Sequence, residues 1–316
     1  MKYVRGYVGD VGGEYNGVTT GQSLQDDRTP EQLTAEAVEA AKKADYVIFV
    51  GGMNKAHNQD CEDGDRLHYE LPYGQDQLIS ALAAVNDKVV FVSISGNAHG
   101  MPWSQEVGAI LQAWYSGSET GHAVADVLFG DVNPSGKLPY TIQPTLADYP
   151  AHQYGEVAYP GVDKQVYYKE DIYVGYRWFN TKKIKPQFPF GFGLSYTTFE
   201  YGKPTVSAKT MTADGSVKVT TTVTNTGKRA GKEIVQLYIG DVKASEDRPL
   251  KELKDFKKIS LEPGETKTVE FEITAEDLQY FSGKNRKWIA EPGKFKAYVC
   301  ASETDVRGEV GFELKK

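Results

Sequence analysis

The stretch YVIFVGG, residues 46–52, is a continuous apolar run that ends in two glycines. A run without polar alternation is typical of a strand that is buried on both faces of a parallel sheet. Two similar runs follow at 88–95 and 109–114, and helical patterns at about 29–43, 71–85 and 119–129 alternate with these strands. Strands alternating with helices imply right-handed crossovers. The sequence therefore predicts an α/β fold with a mostly parallel sheet.

The polar loops that follow these predicted strands are the first places to look for chemistry. In open parallel sheets, ligands bind beyond the carboxyl ends of the strands. The relevant loops begin after Val50, Ser95 and Trp114. His99 and Trp103 follow the second strand and are candidate substrate-binding residues on this ground.

The second half of the chain has a different pattern. From about residue 206, short strands alternate in period two and are separated by turn signals such as EPG at 262–264 and 291–293, which favours an all-β sandwich. Trp288 is expected to fill its core. We therefore divide the chain into an α/β domain at 1–150 with an N-terminal loop at 1–28, a connecting segment at 151–200 that wraps a surface, and a β-sandwich at 201–316.

Composition excludes several classes of protein. The 316 residues carry 36 Lys and Arg against 43 Asp and Glu, a net charge of −7, so there is no basic field for a nucleic acid. No apolar run reaches the roughly 18 residues of a membrane-spanning helix. The two cysteines, Cys61 and Cys300, are far apart, and neither they nor the histidines show the spacing of metal ligands. We expect no metal site and no cofactor.

The loop after the first strand is unusually acidic. It reads NQDCEDGDR at 58–66 and places four carboxylates and one arginine within seven residues. Like-charged neighbours can raise the pKa of one carboxylate, as a general acid requires. A solvated acidic loop or a Ca²⁺ site are the alternatives, although the full calcium-loop pattern with its terminal Glu is absent.

Several segments together resemble the C-terminal half of glycoside hydrolase family 3. They occur in the order usual for that family and cover about residue 30 to the end: EDGDR (62–66), LP (71–72), AWYSGSETG (113–121), NPSGKLP (133–139), YVGYRWF (173–179) and PFGFGLSYTTF (189–199). The NPSGKLP and PFGFGLSYTTF segments are each specific. Asp63 replaces the glycine that usually follows the glutamate, which is the one departure noted in the loop.

The resemblance implies an α/β sandwich followed by a fibronectin type III-like domain, both belonging to a retaining, exo-acting β-glucosidase. It implies that a carboxylate of the acidic loop is the general acid/base; Glu62 is the first choice and Asp60 the alternative. The nucleophilic aspartate would lie in a TIM barrel, which needs about 250 residues and has no counterpart here. A retaining mechanism needs both carboxylates, so this chain would carry half of the site.

The implied partners are the TIM-barrel domain, cleaved off or separately encoded, and a β-glucoside or oligosaccharide substrate. Neither a nucleic acid nor a membrane is expected as a partner; a homodimer stays open. Relatives of this kind are often periplasmic or secreted, and we expect the same here. Two alternatives stay open: a non-catalytic carbohydrate-binding or interaction module, since fold does not imply function, and part of a β-xylosidase.

Overall fold

The computed structural model describes residues 1–9, 14–15, 18–19, 25–54, 58–60 and 66–316. These residues form two compact units. The first comprises Met1–Ala125 and Pro144–Leu146, and the second comprises Asp126–Gln143 and Ala147–Lys316. The elements up to residue 129 are, in chain order, β1 (Glu14–Tyr15), β2 (Val18–Thr19), α1 (Pro30–Ala41), β3 (Val47–Gly52), α2 (Gln75–Ala83), β4 (Val89–Ile94), β5 (Ala109–Gln112) and α3 (Thr120–Phe129).

Helix α1 begins where its local sequence predicts. Thr29 is the N-cap: its side chain accepts a hydrogen bond from the backbone N–H of Gln32, and the Gln32 side chain accepts one from the backbone N–H of Thr29. This reciprocal capping box satisfies two donors that a helix start leaves free. Pro30 occupies the first helical position, where its missing N–H costs nothing. The helix buries Leu33, Ala37 and Ala41.

Strands β3, β4 and β5 form a parallel sheet in that order, which confirms the predicted fold class. In the register, Phe49 lies opposite Phe91, and their rings are 5.8 Å apart between centroids. Helix α2 packs against β3 and β4, and α1 packs against α2. Leu78, Ile79 and Leu82 of α2 are buried in this layer. All three strands run in the same direction, so their carboxyl ends meet at one edge.

The prediction that the first strand is buried on both faces is wrong for this chain. Phe49 is buried, but Ile48 is 37% exposed and Val50 is 56% exposed. Successive side chains of a strand point to opposite faces, and among the described residues α2 packs against β3 and Tyr7 stacks on Phe49. The continuous apolar run therefore has one covered face and one uncovered face.

The second unit holds the remaining elements. Its helices are α4 (Pro150–Gln153) and α5 (Tyr176–Lys182). Its strands are β6 (Phe199–Tyr201), β7 (Thr205–Val206), β8 (Thr210–Met211), β9 (Ser216–Asn225), β10 (Gly231–Asp241), β11 (Glu252–Leu261), β12 (Thr266–Thr274), β13 (Tyr280–Ser282), β14 (Lys287–Ile289), β15 (Gly293–Cys300) and β16 (Val306–Leu314). No helix in the described part of the chain has both the length and the apolar character needed to cross a membrane.

These strands form the β-sandwich that the alternating pattern predicts. One sheet has the order β11-β10-β15-β16-β8, and the other has β12-β9-β6 with β7 also paired to β9. Strand β9 alternates buried and exposed side chains along its length, with Val217, Val219 and Val223 facing inward. Phe271 and Phe295 fill the core between the sheets. A period-two pattern with one apolar face is what two stacked sheets require.

Trp288 does not fill this core, contrary to the sequence-based prediction. It lies on β14, which forms a small hairpin with β13, and it is 64% exposed. Its ring contacts Phe281 on the opposite strand of the hairpin, at 5.9 Å between centroids. The hairpin stands outside the two main sheets, so the side chain packs against its cross-strand neighbour and stays largely exposed.

Candidate functional site at the carboxyl ends of the parallel strands

Strand β3 ends at a buried contact with helix α2. The N–H of Gly52 donates to Oε1 of Gln75 at 2.8 Å, and Nε2 of Gln75 donates to the carbonyl of Gly52 at 2.7 Å. Gly52 has a φ of +129°, and a Cβ at this position would overlap the backbone of Ile94. Glycine is required there. The chain therefore leaves the sheet at a fixed point before it enters the acidic loop.

Asp60 joins the three loops that follow the strands. Its Oδ2 accepts hydrogen bonds from the backbone N–H of Gly96 at 2.7 Å and from the hydroxyl of Tyr115 at 2.8 Å. Its Oδ1 accepts one from Nδ2 of Asn97 at 2.8 Å. Asp60 itself is 7% exposed. Gly96 and Asn97 follow β4 and Tyr115 follows β5, so Asp60 connects the three loops that the sequence analysis chose as the first places to look for chemistry.

The third loop turns sharply to present Tyr115. Trp114, the preceding residue, has a φ of +57°, which is uncommon for a residue other than glycine. Burial raises the pKa of the Tyr115 hydroxyl, and the hydrogen bond to Asp60 raises it further. The phenol therefore stays protonated and serves as a donor to the carboxylate at neutral pH.

Arg66 bonds to the segment that follows β4. Its guanidinium donates to the carbonyl of Ala98 at 2.6 Å and lies 3.0 Å from Sδ of Met53. Glu62, the first candidate for the acid/base, lies outside the described residues, as do Cys61 and residues 63–65. Its role stays a prediction, and the structure describes the residues on both sides of it.

His99 is enclosed beneath these loops. Its side chain has no exposed surface, and burial lowers its pKa to about 4. The ring is therefore neutral at pH 7: Nδ1 lies 2.9 Å from the carbonyl of Gly100, to which it donates, and Nε2 lies 2.9 Å from the hydroxyl of Ser93, from which it accepts. Sugar binding by His99 stays a prediction, while its described contacts hold the loop to β4.

Trp103 is also fully buried. Its indole N–H donates to Oδ1 of Asp76 at 2.6 Å, and the ring packs edge-on against Phe91 at 4.6 Å between centroids. Oδ2 of Asp76 accepts from the backbone N–H of Leu71 at 3.1 Å. Burial raises the pKa of Asp76. Like that of His99, the predicted sugar-binding role of Trp103 stays a prediction, and its described partners are all within the first unit.

Three residues that organise this site were missed at the sequence level. The sequence analysis singled out none of Gln75, Asn97 and Tyr115 as a site residue. Tyr115 could have been found, because it follows the third strand in the region already chosen for its position. Asn97 lies in the chosen loop after Ser95 in the same way, whereas Gln75 carries no local signal, since its partner is 23 residues away along the chain.

Comparison with known proteins agrees with this architecture. Residues 3–196 match the glycosyl hydrolase family 3 C-terminal domain, and residues 233–303 match a fibronectin type III-like domain. The chain is 59% identical over 285 residues to beta-glucosidase BoGH3A of Bacteroides ovatus, and 42% identical over 286 residues to thermostable beta-glucosidase B of Acetivibrio thermocellus. Each alignment covers 90% of this chain, and the two cover 38% and 37% of these relatives.

Solved structures likewise match most of this chain but only part of their own length. A beta-glucosidase from Kluyveromyces marxianus in complex with glucose superimposes with a TM-score of 0.85 at 37% identity, over 92% of this chain and 34% of that one. DesR, a beta-glucosidase from Streptomyces venezuelae in complex with D-glucose, superimposes with a TM-score of 0.85 at 38% identity, over 90% of this chain and 36% of that one. This chain thus spans little more than a third of the length of these relatives. Its fold, its two matched domains and its identity to curated members show that the chain belongs to glycoside hydrolase family 3.

Proposed function

We propose that this chain is the C-terminal part of a retaining, exo-acting β-glucosidase that hydrolyses terminal β-D-glucosyl residues. In this proposal Glu62 supplies the general acid/base, and the nucleophilic aspartate comes from a TIM-barrel domain outside the chain. The observation that carries the proposal is the 59% identity to a Bacteroides ovatus protein named a beta-glucosidase. The relatives' greater length supports the need for a further domain.

The chemistry assigns this chain one of two carboxylate roles. The general acid protonates the glycosidic oxygen as the bond to the leaving group breaks, and the same group later removes a proton from the water that releases the sugar. In retaining enzymes the two carboxyl groups lie about 5–5.5 Å apart. A loop anchored at the edge of a rigid sheet is suited to holding one of them at such a distance from a second domain.

Position supports Glu62 within the acidic loop. It lies two residues after Asp60 and four before Arg66, and both of these flanking residues bond to the segment that follows β4. Asp60, in contrast, is enclosed by three donors.

The test is a hybrid enzyme. The part of the Bacteroides ovatus relative that precedes its match would be joined to this chain, and hydrolysis of an aryl β-glucoside would be compared for the hybrid and for the 316-residue chain alone. We expect activity in the hybrid only. Glu62→Gln should lower kcat by about 10²–10⁴-fold, as expected for loss of a general acid. Glu39→Gln on the exposed side of α1 is the matched control and should change little.

Other results would reject the proposal. An inactive but folded hybrid, together with glycan binding by the chain alone, would favour the non-catalytic carbohydrate-binding module. A hybrid that prefers aryl β-xyloside would favour the β-xylosidase. Activity of the hybrid that survives Glu62→Gln intact would remove Glu62 from the acid/base role.

A further inference from the structure

We propose that the outer face of the β13–β14 hairpin binds a polysaccharide that carries scattered carboxylates, such as a glucan with some uronic acid residues. Phe281 and Trp288 on this face stack against sugar rings, and Lys284, Arg286 and Lys287 at the tip pair with the carboxylates. All five residues lie in the second unit. The proposal goes beyond the proposed function, because it needs neither a barrel domain nor a hydrolytic step.

The two faces of the hairpin differ in exposure. On the inner face Tyr280 is buried, and Cζ of Arg248 lies 4.9 Å from the centroid of its ring. On the outer face Phe281 is 55% exposed and Trp288 is 64% exposed. These two residues lie directly opposite each other in the register of the hairpin. Single exposed apolar residues need no explanation, whereas an adjoining pair of large aromatic side chains points to a contact surface.

The tip of the hairpin is fastened by hydrogen bonds. The carboxylate of Glu246 accepts from the hydroxyl of Ser282 and from the backbone N–H of Gly283, the second at 3.0 Å. The Ser282 hydroxyl in turn accepts from the backbone N–H and from Nδ2 of Asn285, both at 3.0 Å. The backbone N–H of Arg286 donates to the carbonyl of Ser282 at 2.7 Å. The outer face thus stands on a preorganised base, which spares a ligand the cost of ordering it.

The tip also concentrates positive charge in an acidic chain. Lys284, Arg286 and Lys287 are all exposed, and none of them forms an ion pair with the residues that the structure describes. The chain as a whole has a net charge of −7, and the carboxylate of Glu246 beneath the turn is engaged by its two donors. Exposed cations beside an aromatic pair are complementary to a ligand with an apolar face and anionic substituents.

A carboxylated sugar chain combines these two properties. A pyranose ring presents a face of C–H groups, which packs against the apolar face of an aromatic side chain. A carboxylate at C6 lies at the rim of the sugar, where an arginine can meet both of its oxygens with two parallel hydrogen bonds. The rings of Phe281 and Trp288 stand at 75° to each other. They form a corner and not a flat platform, which suits one or two sugar units of a flexible chain.

Other occupants fit these observations less well. A stable contact with a second copy buries roughly 800 Å² on each side, which is more than a hairpin of two three-residue strands offers alone. A nucleic acid carries about one charge per 1.7 Å of duplex, and the net charge of −7 repels such a polyanion. A glycan with scattered carboxylates meets the local cations with far less of that repulsion.

Trp288 provides the readout in the 316-residue chain itself. Of the four tryptophans, it alone is exposed, since Trp103 and Trp178 are buried and Trp114 is partly buried. The probe is cellohexaose in which some C6 groups have been oxidised to carboxylates, and unmodified cellohexaose is its control. We expect the oxidised probe to shift the tryptophan emission and to bind at least about tenfold more tightly than the control, a preference that about 0.5 M NaCl removes.

Two sets of variants separate stacking from charge. Trp288→Ser should weaken binding of the oxidised probe at least about tenfold in calorimetry, whereas Trp288→Phe keeps an aromatic face and should stay within about threefold. The triple variant Lys284→Glu/Arg286→Glu/Lys287→Glu should abolish the preference for the oxidised probe over unmodified cellohexaose, because the charges at the tip are then repulsive.

The matched control for the triple variant is Lys203→Glu/Lys228→Glu/Lys232→Glu. It changes the net charge by the same amount at exposed lysines elsewhere in the second unit. Because distant charges are screened by salt, this control should keep the preference within about threefold. An equal loss in the control would show that the net charge, and not the hairpin, selects the probe, and would overturn the proposal.

The proposal also fails if the folded chain binds neither oligosaccharide, binds both equally, or binds the oxidised probe unchanged after Trp288→Ser. Without binding of the probe, self-association that Trp288→Ser abolishes would assign the hairpin to a second copy. Sedimentation with phosphatidylserine vesicles that Trp288→Ser abolishes would, in the same case, assign it to a membrane. Hydrolysis is not measured, so these results do not depend on whether the hybrid enzyme is active.

Discussion

Gln75 and Gly52 exchange two hydrogen bonds, one in each direction, at the carboxyl end of β3. The side-chain amide of Gln75 thereby takes the place that a neighbouring strand would occupy beside the last residue of β3. Gln75 has no exposed surface, so water cannot replace it. The pair satisfies a buried backbone N–H and C=O, groups that are costly to leave without partners.

Replacement of Gln75 by leucine should therefore destabilise the first unit. Two buried backbone groups would lose their partners, and we expect the free energy of unfolding to fall by about 2–4 kcal/mol. Urea denaturation of the 316-residue chain measures this change. Gln77→Leu, two residues along the same helix at an exposed position, is the matched control and should shift stability by less than about 0.5 kcal/mol. Equal effects of the two substitutions would contradict the assigned role of Gln75.

Trp103 should be sensitive to loss of its indole N–H. Trp103→Phe removes the donor to Asp76 and leaves a cavity beside Phe91, and we expect a loss of about 2–4 kcal/mol in the free energy of unfolding. Trp288→Phe, at the 64% exposed position in the hairpin, should cost under about 1 kcal/mol. Thermal or urea unfolding distinguishes the two variants. If Trp103→Phe left the free energy of unfolding unchanged, the buried contact would contribute nothing to stability.

His99 should make the first unit less stable in acid. Its pKa is lowered to about 4 by burial, against an ordinary value of 6.5. Between these pH values the unfolded chain binds more protons than the folded chain, so stability falls as the pH is lowered from 6.5 towards 4. The contribution between pH 7 and pH 5 is about 2 kcal/mol.

The matching variant is His99→Gln, which cannot titrate. Whatever its stability at pH 7, its free energy of unfolding should fall by about 2 kcal/mol less than that of the parent chain between pH 7 and pH 5. His122→Gln, at a side chain that is 87% exposed, should leave the pH dependence as it is. Urea denaturation at several pH values measures the free energy of unfolding of both variants. An equal fall between pH 7 and pH 5 in His99→Gln and in the parent chain would contradict the prediction.

Lys251 and Glu303 form a buried ion pair in the second unit. Their side chains are 5% and 2% exposed, and Nζ of Lys251 lies 3.7 Å from the Glu303 carboxylate and donates to the Glu303 carbonyl at 2.5 Å. Burial raises the pKa of Glu303. Lys251→Met would leave this carboxylate buried without its cation, which costs about 3–5 kcal/mol.

The cost of Lys251→Met should depend on pH in a definite direction. At low pH Glu303 can take up a proton and the uncompensated charge disappears, so the variant should be nearer to the parent chain at pH 4.5 than at pH 7.5. Lys218→Met, which breaks an exposed pair with Glu270, should cost at most about 1 kcal/mol at either pH. A cost for Lys251→Met that is the same at both pH values would contradict the role given to Glu303.

Local signals in the sequence were enough to predict the fold class and most of the elements. The cap at Thr29 and the apolar runs that became β3 and β4 are read from neighbouring residues, and the parallel order follows from the alternation of strands and helices. The meeting of the loops at Asp60 follows in turn from that order, since parallel strands end at one edge. The β-sandwich followed from period-two patterns such as that of β9, and its fibronectin type III-like character was implied only by the family resemblance.

What the sequence could not predict depends on partners that are distant along the chain. Whether Asp60 is a donor or an anchor depends on Gly96, Asn97 and Tyr115, which only the fold brings to it. Trp288 was assigned to the core from its size alone, although burial depends on where its hairpin stands. The apolar run at 46–52 predicts a strand covered on both faces. Composition alone, however, does not show which layers of the fold are present to cover it.

The uncovered face of β3 has a consequence for work with the chain by itself. In the described residues β3 lies at one end of its sheet, and Ile48 and Val50 project from it into solvent. An end strand with exposed β-branched side chains readily pairs with another chain. Preparations of the 316-residue chain should therefore self-associate increasingly with concentration, and Ile48→Thr/Val50→Thr should raise its solubility.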